Sequence, residues 1–420
     1  MLQEIDADLH IHSRFAKACS PEITINAVAE CARKKGLALV GTGDALHPDW
    51  LAEIKQMGYS DETGIFTHEN GVKFILTGEL EDRDSVHHLV IFPGLAALQD
   101  VKEKLENFSN NFAFDGRPKV GLSGEAIANT CLDSGCLFGP AHAFTPWTSV
   151  FKTFTSLSEC YKSATRLLSF VELGLSADTY LADKVEELRA FVYLSGSDAH
   201  SANPARLGRE FMRLAVKSVS FNEIELALKG AAERKIVFNA GVDPREGRYH
   251  CTACTKCYQK YGIDEARSLS YTCVSCGSII KMGVKDRIEK LSGGAQSVSP
   301  PGRPPYQYTI PLVDLITRVM RISPAEAEAR YNEIVSDYGT ETKILFELKP
   351  EEISPKHPEL ADALQKFRDG FVVFVPGGGG RYGQVIIPRD SEEMKRIIVE
   401  RASEINCVSG ITQKSLTKFF

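Results

Sequence analysis

The sequence has no excess of basic residues, since 49 Lys and Arg stand against 55 Asp and Glu, a formal net charge of -6. This balance excludes a protein that coats nucleic acid through bulk charge, so a nucleic-acid partner must be met by a local patch. No apolar run approaches the ~20 residues that span a bilayer, and residues 88–98 are interrupted by Pro93 and Gly94. The first residues are acidic where a secretory signal would be basic. We therefore predict a cytoplasmic protein without a membrane partner.

The cysteines are unevenly distributed, with five of the eleven lying between Cys251 and Cys276. Because disulfides are rare in the cytoplasm, we interpret these cysteines by their spacing. Two Cys-x2-Cys pairs lie fifteen residues apart, which is the spacing that brings four thiolates to one tetrahedral, structural zinc ion. Cys251 is either a substitute ligand or an extra residue. The six scattered cysteines, Cys407 among them, are interpreted as small core residues. The predicted ligands of the structural zinc are Cys254, Cys257, Cys273 and Cys276.

Polar residues recur at the ends of strand-like runs in the first half of the chain. Residues 4–12 alternate in polarity, which places His10 and His12 side by side on one face. Helical patterns, such as residues 25–35 and 178–189, separate the later runs. Strands that alternate with helices over ~240 residues, with polar groups at the strand ends, predict a TIM-like barrel with one site at its mouth. The later strand ends carry Asp44, Glu79, His142, Glu172, Asp198 and His200.

These residue types favour one kind of chemistry. Neutral imidazoles mixed with carboxylates suit Zn, Mn or Fe. A carboxylate that bridges two ions can clamp both the attacking and the leaving oxygen of a phosphoryl transfer. The pattern therefore predicts a metal-dependent hydrolase of phosphate esters.

The motifs resemble those of the PHP (polymerase and histidinol phosphatase) superfamily. This resemblance implies an α/β fold with a distorted (β/α)7 TIM-like barrel. It also implies two or three divalent ions, Zn with Mn or Mg as alternatives. The matching segments are Asp-Leu-His10-Ile-His12, Gly-Thr-Gly-Asp44, Gly78-Glu79, His87-His88-Leu89, Gly-Pro-Ala-His142 and Ser-Asp198-Ala-His200.

The resemblance also implies a ligand set, with Glu79, Asp198 and His200 as the catalytic residues. Gly-Thr-Gly-Asp44 departs from the Thr-Asp-His of many superfamily members. His47 and His87 are further candidates, either as ligands or as supporting or surface residues. The implied first ion is held by His10, His12, Glu79 and Asp198, the second by Glu79, His88 and His142, and the third by Asp44 and His200.

Within the superfamily the whole chain resembles the endonuclease Q family of DNA repair nucleases. The likeness continues beyond the barrel. It includes the segment that carries the four predicted zinc ligands, called the zinc segment below, and two later loops, residues 302–306 and 376–383. It implies hydrolysis of the phosphodiester 5′ of uracil, hypoxanthine, xanthine or an abasic site in double-stranded DNA, with replication or repair proteins as further partners. Two alternatives are a small-molecule phosphatase of the histidinol phosphate type and a non-catalytic DNA-binding module.

A local basic patch is predicted in the middle of the chain. Residues 245–318 carry eleven basic and six acidic side chains, although the whole chain is acidic. This segment is interpreted as a phosphate-contacting surface, with a solvated packing face as the alternative. The two loops could equally be a stiff linker and a plain hairpin loop. The candidate DNA-binding residues are Arg206, Arg209, Arg303, Tyr306, Gly378, Gly379, Arg381 and Tyr382.

The length of 420 residues predicts more than one domain. We expect a PHP catalytic barrel over residues 1–244 and a four-cysteine zinc-binding module over residues 245–292. A mixed α+β C-terminal domain for DNA and lesion recognition would follow over residues 293–420, with helices near 310–338 and 392–404.

Overall fold

The computed structural model describes residues 1–109 and 111–407, and the chain forms two compact units. Unit 1 combines Met1–Gly174, Glu186–Val242 and Val298–Leu348, whereas unit 2 combines Leu175–Val185, Asp243–Ser297 and the chain from Lys349 onward. Each unit is therefore assembled from three separate stretches of chain. The three predicted domains with boundaries near 244 and 292 stay a prediction.

The strands form several sheets. In unit 1 the largest sheet has the order β15-β12-β11-β1-β2-β5-β4-β3, next to a three-stranded group β6-β7-β8 and the pair β9-β10. In unit 2, β13 pairs with β14 and β16 pairs with β17. The strands are β1 (Gln3–Asp8), β2 (Leu37–Gly41), β3 (Gly58–Ser60), β4 (Ile65–Thr67), β5 (Lys73–Ile75), β6 (Thr77–Glu81), β7 (His87–Ile91), β8 (Leu137–Pro140), β9 (Val171–Glu172), β10 (Tyr193–Leu194), β11 (Phe211–Val216), β12 (Lys235–Gly241), β13 (Ala253–Cys254), β14 (Ile280–Lys281), β15 (Tyr306–Tyr308), β16 (Val373–Val375) and β17 (Gln384–Ile386).

The helices lie between the strands and extend through the last third of the chain. Among the described residues none is long and apolar enough to cross a membrane. The helices are α1 (Ile25–Lys35), α2 (Pro48–Ile54), α3 (Leu95–Leu105), α4 (Gly124–Asp133), α5 (Val150–Thr153), α6 (Leu157–Tyr161), α7 (Thr179–Ala182), α8 (Phe221–Lys229), α9 (Ile263–Ser268), α10 (Val284–Ser292), α11 (Leu312–Met320), α12 (Pro324–Tyr338), α13 (Glu341–Phe346), α14 (Pro350–Ile353), α15 (Pro358–Arg368), α16 (Ser391–Glu400) and α17 (Ala402–Ile405).

Helix α1 shows how local sequence sets these elements. The hydroxyl of Thr24 accepts a hydrogen bond from the N–H of Ala27 and so caps the first turn. Gly36 ends the helix with a φ of 93°, a left-handed conformation that favours glycine. The helix buries Val28, Cys31 and its other apolar neighbours, so both ends and the packed face match the sequence pattern.

The apolar core of unit 1 fixes the position of β1 and of the polar residues at its end. Ile5, Ala7 and Leu9 are buried among apolar residues of the neighbouring strands. Asp8 and His10 alternate with them and are also fully buried. The protein therefore encloses the polar side chains of β1. A strand at a solvated edge would expose them, so this burial is what we expect of a strand that leads into a functional site.

The structure corrects the interpretation of two cysteines. Cys251 and Cys407 form a disulfide across a sequence separation of 156 residues. Cys251 is therefore neither a substitute zinc ligand nor an idle residue, and Cys407 is not simply a core residue. Spacing could not show this pair, because the two residues meet only after unit 2 has folded.

Candidate metal centre

His10, His12 and Glu79 converge at one end of the unit 1 strands. The two histidines follow β1 and Glu79 lies in β6. His12 Nε2 lies 3.4 Å from Glu79 Oε2, and His10 Nε2 lies 3.7 Å from Glu79 Oε1. All three side chains are essentially inaccessible to solvent. One donor atom from each lies within 4.8 Å of the others, close enough to share an ion.

Asp198 and His200 extend this group toward solvent. Asp198 Oδ1 lies 3.1 Å from His12 Nε2 and 3.9 Å from His10 Nε2. His12, Asp198 and His200 form a second set of donors within 4.8 Å of one another. The side chain of His200 is 32% exposed, so a substrate can approach the centre from this side.

A third set is centred on the other oxygen of Glu79. Oε1 of Glu79 lies 2.9 Å from His142 Nε2 and 2.9 Å from His87 Nδ1, while Oε2 faces His12. The two oxygens thus face different imidazoles, which is the arrangement of a carboxylate that bridges two ions.

His88, which the PHP resemblance implies as a ligand, lies outside the donor sets found among the described residues. His88 Nδ1 lies 2.8 Å from the hydroxyl of Tyr161, and its Nε2 lies 3.2 Å from Asp82. Its ring also stacks on Phe138. Successive side chains of a strand point to opposite faces, so β7 directs His87 to Glu79 and His88 away from it.

Asp44, another residue implied as a ligand, also lies outside the donor sets of the described residues. Its Oδ1 lies 3.0 Å from His12 Nδ1, and its Oδ2 accepts hydrogen bonds from the backbone N–H and the hydroxyl of Ser13. With both oxygens occupied, Asp44 orients His12 so that Nε2 faces the centre. Carboxylates commonly fix ligating histidines in this way.

Glu172 supports the neighbouring histidines in the same manner. Its two oxygens lie 2.9 and 2.8 Å from His10 Nδ1, and one of them accepts the backbone N–H of His142 at 2.8 Å. Glu172 is fully buried. It therefore connects histidines from two of the donor sets and leaves His10 Nε2 directed at Glu79.

The electrostatics of the site fit divalent cations. Burial lowers the pKa of His10, but the carboxylates of Glu172, Glu79 and Asp198 outweigh it and raise the pKa to about 10. A field that favours an imidazolium also favours a metal cation. Among the described residues four buried atoms of the centre lack hydrogen-bond partners and face one another, which suits ion ligation. They are His10 Nε2, His12 Nε2, Glu79 Oε2 and Asp198 Oδ1.

Backbone conformation at the centre is unusual. Asp44, His142 and Asp198 have φ values of 46°, 29° and 47°, in the left-handed region that non-glycine residues rarely adopt. Such conformations cost free energy, persist only when the surroundings enforce them, and cluster at functional sites. Here they turn the chain so that side chains at strand ends reach the centre.

One residue near the centre was missed by the sequence analysis. Arg117 places Nη1 at 3.7 Å from Glu79 Oε2, and Nη2 donates to the backbone carbonyl of Lys17. Arg117 lies in a loop without a recognisable motif, so no periodicity or spacing indicated it. His47, by contrast, stacks on Phe15 and belongs to none of the donor sets among the described residues.

The four predicted cysteines of unit 2 meet at one point. Cys254 Sγ lies 3.4 Å from Cys276 Sγ, Cys257 Sγ lies 3.5 Å from Cys273 Sγ, and all four sulfurs lie within 4.8 Å of one another. Zinc–sulfur bonds of ~2.3 Å in a tetrahedron separate the sulfurs by about 3.8 Å, so the cluster fits one zinc ion.

The candidate DNA-binding residues of unit 1 have mixed environments. Arg206 is exposed, whereas Arg209 Nε donates to the carbonyl of Ser197. Arg303 donates to the carbonyls of Phe191 and Arg189, and Tyr306 lies in β15 with its hydroxyl 3.4 Å from Glu210. The structure gives Arg303 and Tyr306 internal partners, so their contact with DNA stays a prediction.

The glycine loop of unit 2 is explained by packing. The N–H groups of Gly377 and Gly380 donate to carbonyls of residues 245 and 248. A Cβ on Gly379 would lie 2.1 Å from the carbonyl oxygen of Cys254. The loop therefore packs closely against the backbone of the zinc segment, and the Gly377 and Gly380 amides are not directed at a ligand. Contact of Gly378 and Gly379 with DNA stays a prediction, while Arg381 and Tyr382 are exposed.

Two curated relatives and one domain family match this sequence. A model of the MJ0043 C-terminal domain matches residues 311–371. The uncharacterized protein MJ0043 of Methanocaldococcus jannaschii is 41% identical over 251 residues, which cover 58% of this chain and 31% of that protein. This chain thus spans about a third of that relative. The uncharacterized protein YqxK of Bacillus subtilis is 32% identical over 406 residues, 91% of this chain and 100% of that protein.

Two solved structures resemble the whole chain. The crystal structure of the lesion-specific endonuclease Q from Pyrococcus furiosus has a TM-score of 0.88 and 45% identity, and the match covers 94% of this chain and 99% of that chain. A crystal structure of endonuclease Q with a 27-mer duplex carrying an abasic lesion at the active site has a TM-score of 0.88 and 46% identity, covering 92% and 97%.

Fold and site together define an α/β protein with buried groups of histidine and carboxylate side chains that could hold metal ions. Within this class the chain belongs to the endonuclease Q family. The predicted α/β class and the family resemblance are thereby confirmed.

Proposed function

We propose that this protein is a metal-dependent DNA repair endonuclease that hydrolyses the phosphodiester 5′ of a deaminated base or an abasic site. The observation that carries this proposal is the convergence of His10, His12, Glu79 and Asp198, with unpartnered buried donor atoms, in a chain of the endonuclease Q family. A solved member of that family holds a duplex with an abasic lesion at its active site.

The centre would bind two or three divalent ions, Zn with Mn or Mg as alternatives, and the four cysteines one structural Zn. When bound, the ions supply Lewis-acid activation of water and stabilisation of negative charge at phosphorus. Glu79 would bridge, with His87 in place of His88 beside His142. The proposed ligands are His10, His12, Glu79, His87, His142, Asp198 and His200.

Arg117 would help to hold the scissile phosphate. Its guanidinium lies next to Glu79 at the centre, and burial of its charge is offset by Glu79, Asp198 and Asp44, which raise its pKa. A guanidinium can donate two parallel hydrogen bonds to phosphate oxygens. The catalytic residues in this proposal are Glu79, Asp198 and His200.

The finer parts of the prediction belong to the same proposal. The strands of unit 1 would form the distorted seven-stranded barrel, and the zinc module and C-terminal domain would contact DNA outside the cleavage site. Uracil, hypoxanthine and xanthine would be the deaminated bases, with replication or repair proteins as further partners at the nucleoid. The DNA-contacting residues would include Arg206, Arg209, Arg303, Tyr306, Gly378, Gly379, Arg381 and Tyr382.

The test is cleavage of labelled duplexes that carry one deoxyuridine, deoxyinosine or abasic site, with and without added Mn, Mg or Zn. We expect nicking 5′ of the lesion that a chelator removes. Asp198→Asn and Glu79→Gln should lower the rate by at least about 100-fold and leave DNA binding largely intact. Glu103→Gln, an exposed position on α3, is the control.

Equal cutting by wild type and Asp198→Asn would contradict the proposal. Release of phosphate from small esters without nicking would favour the small-molecule phosphatase. Lesion binding without cleavage under every metal would favour the non-catalytic module.

A further inference from the structure

Unit 2 contains a cavity of about 230 Å³ beside the glycine loop. One wall comes from residues 258–260, a second from residues 375–378 with 381, 382 and 384, and a third from residues 401, 403 and 404. Typical small-molecule pockets measure ~300–1,000 Å³. The cavity is therefore slightly smaller than a typical small-molecule pocket. Its size suits a small ligand that combines a phosphate with a planar ring, such as a single nucleotide unit.

The charges around this cavity favour an anion. Lys260, Arg381, Arg401 and Glu404 line the cavity. Arg401 forms an ion pair with Glu404, so the net positive charge of the cavity comes from Lys260 and Arg381. Lys260 Nζ donates to the carbonyls of Pro376 and Glu404 at 2.6 Å each. An ammonium has three donors, so two contacts leave one for an acceptor. Burial lowers the pKa of Lys260 to about 8, with Arg401 and Arg381 adding to the effect against Glu404.

Aromatic rings flank the same opening. Tyr258 and Tyr382 are 43% and 53% exposed although their side chains are large and apolar in part. The guanidinium of Arg248 lies 5.1 Å from the centre of the Tyr382 ring, and Arg248 Nε donates to the carbonyl of Gly380. These contacts hold one face of the ring against the protein, so the other face can stack on a base.

The frame of the cavity is fixed by covalent and backbone bonds. Cys251 donates its backbone N–H to the carbonyl of Gly377, under the loop, and its sulfur is bonded to Cys407. Cys407 follows α17, which supplies Glu404 and the wall around it. The disulfide thus links the backbone below the glycine loop to the wall that α17 supplies. A cavity that is already formed reduces the entropy lost when a ligand binds.

We propose that this cavity binds one nucleotide unit, with its phosphate against Lys260 and Arg381 and its base stacked on Tyr382. This inference rests on the proposed function, which supplies a DNA substrate. The nucleotide can come from an undamaged DNA strand or from a free nucleoside monophosphate, since both present the same phosphate and base. Binding here would hold nucleic acid independently of the metal centre.

The experiment measures binding of two probes to the full-length protein, a fluorescent single-stranded oligothymidylate and free dTMP. Tyr382→Ala should weaken oligothymidylate binding about 5-fold or more, because one stacked base is lost. Arg381→Gln should reduce the slope of log Kd against log salt by about 0.7, the value for one phosphate contact on a single strand. Both positions are exposed, and thermal melting checks that the variants are folded.

The matched control is Arg396→Gln, which removes another exposed cation, from α16 of the same unit, and should change neither quantity. Sensitivity of oligothymidylate binding alone assigns the cavity to a DNA strand, and sensitivity of dTMP binding assigns it to a free nucleotide. If neither probe responds to Tyr382→Ala or Arg381→Gln beyond the control, the inference is wrong. Neither probe contains a lesion, so this result is independent of the nicking test.

Discussion

Individual carboxylates in unit 1 have distinct tasks that residue type alone does not reveal. Glu79 faces four imidazoles. Asp44 instead lies behind His12, and Glu172 lies behind His10, and each directs the ring in front of it. A strand-end position predicts that a carboxylate is near the site. Whether the carboxylate binds a metal ion or orients a histidine depends on the direction of its side chain. The spacing of residues in the sequence does not show that direction.

Glu210 is a buried carboxyl group outside the donor sets. It is 1% exposed, and burial raises its pKa well above the ordinary value, with Glu172 and Asp8 contributing in the same direction. The folded protein therefore keeps this proton at pH values where the unfolded chain, with a pKa near 4.3, has lost it. Because the folded state then binds more protons, stability falls as pH rises through this window.

We expect Glu210→Gln to remove this loss. The free energy of unfolding of the variant, relative to that of the wild type, should increase above about pH 4.5. The increase should be as much as about 1.4 kcal/mol per pH unit until the pH reaches the pKa of Glu210 in the folded protein. Urea denaturation at several pH values between 5.5 and 8 measures the difference. Glu103→Gln, which is exposed, should show no such trend, and a parallel pair of curves for wild type and Glu210→Gln would refute the expectation.

At the scale of elements, β7 provides a test of strand alternation. His87→Ala should lower the affinity for added Zn or Mn at the centre by at least about 10-fold, since His87 Nδ1 contacts Glu79. His88→Ala should retain that affinity but lower the melting temperature, because Tyr161 and Asp82 lose their partner inside the protein. Metal titration calorimetry and thermal melting separate the two outcomes. Loss of affinity in His88→Ala would restore the ligand set that the superfamily resemblance implied.

Elements with strong local signals were predictable, and those set by tertiary contacts were not. The helix expected at residues 25–35 is α1, with its cap and its terminal glycine. The helix expected at residues 178–189 is instead the short α7 followed by a separate 3-10 turn. Near residues 310–338 the chain forms α11 and α12, since Arg321 takes a left-handed φ of 54° between them. An apolar period alone does not show such a break.

The same limit applies to the site. Period two in β1 brought His10 and His12 together, and the Cys-x2-Cys spacing brought the four cysteines together, because both signals are local. Arg117 and the Cys251–Cys407 disulfide depend on residues far apart in the chain. No pattern in one sequence fixes such distances.

At the scale of the molecule, a buried ion pair fastens Val298–Leu348 into unit 1. Lys35 in α1 and Glu341 in α13 are 1% and 2% exposed, and their charged atoms lie 2.7 Å apart. Lys35→Met or Glu341→Met alone should cost about 3–5 kcal/mol of unfolding free energy, because one charge is left buried without its partner. The double substitution should cost much less.

Urea unfolding of the two single variants and the double variant measures this coupling. Lys104 and Asp100 form an exposed pair on α3, and its removal should cost no more than about 1 kcal/mol. A cost for Lys35→Met as small as that of the exposed pair would contradict the prediction that this buried ion pair fastens the segment into unit 1.

The interleaved chain segments of the two units have a consequence for biosynthesis. The first unit needs residues up to Leu348, and the second needs Leu175–Val185 together with the chain from Lys349 onward. A ribosome therefore releases residues 175–185 long before their neighbours exist, and neither unit can finish folding while much of the chain is still being translated. For the same reason neither complete unit is one contiguous piece of chain: a fragment that ends at Leu348 contains all of unit 1 but also carries Leu175–Val185 and Asp243–Ser297 of unit 2 without their third segment.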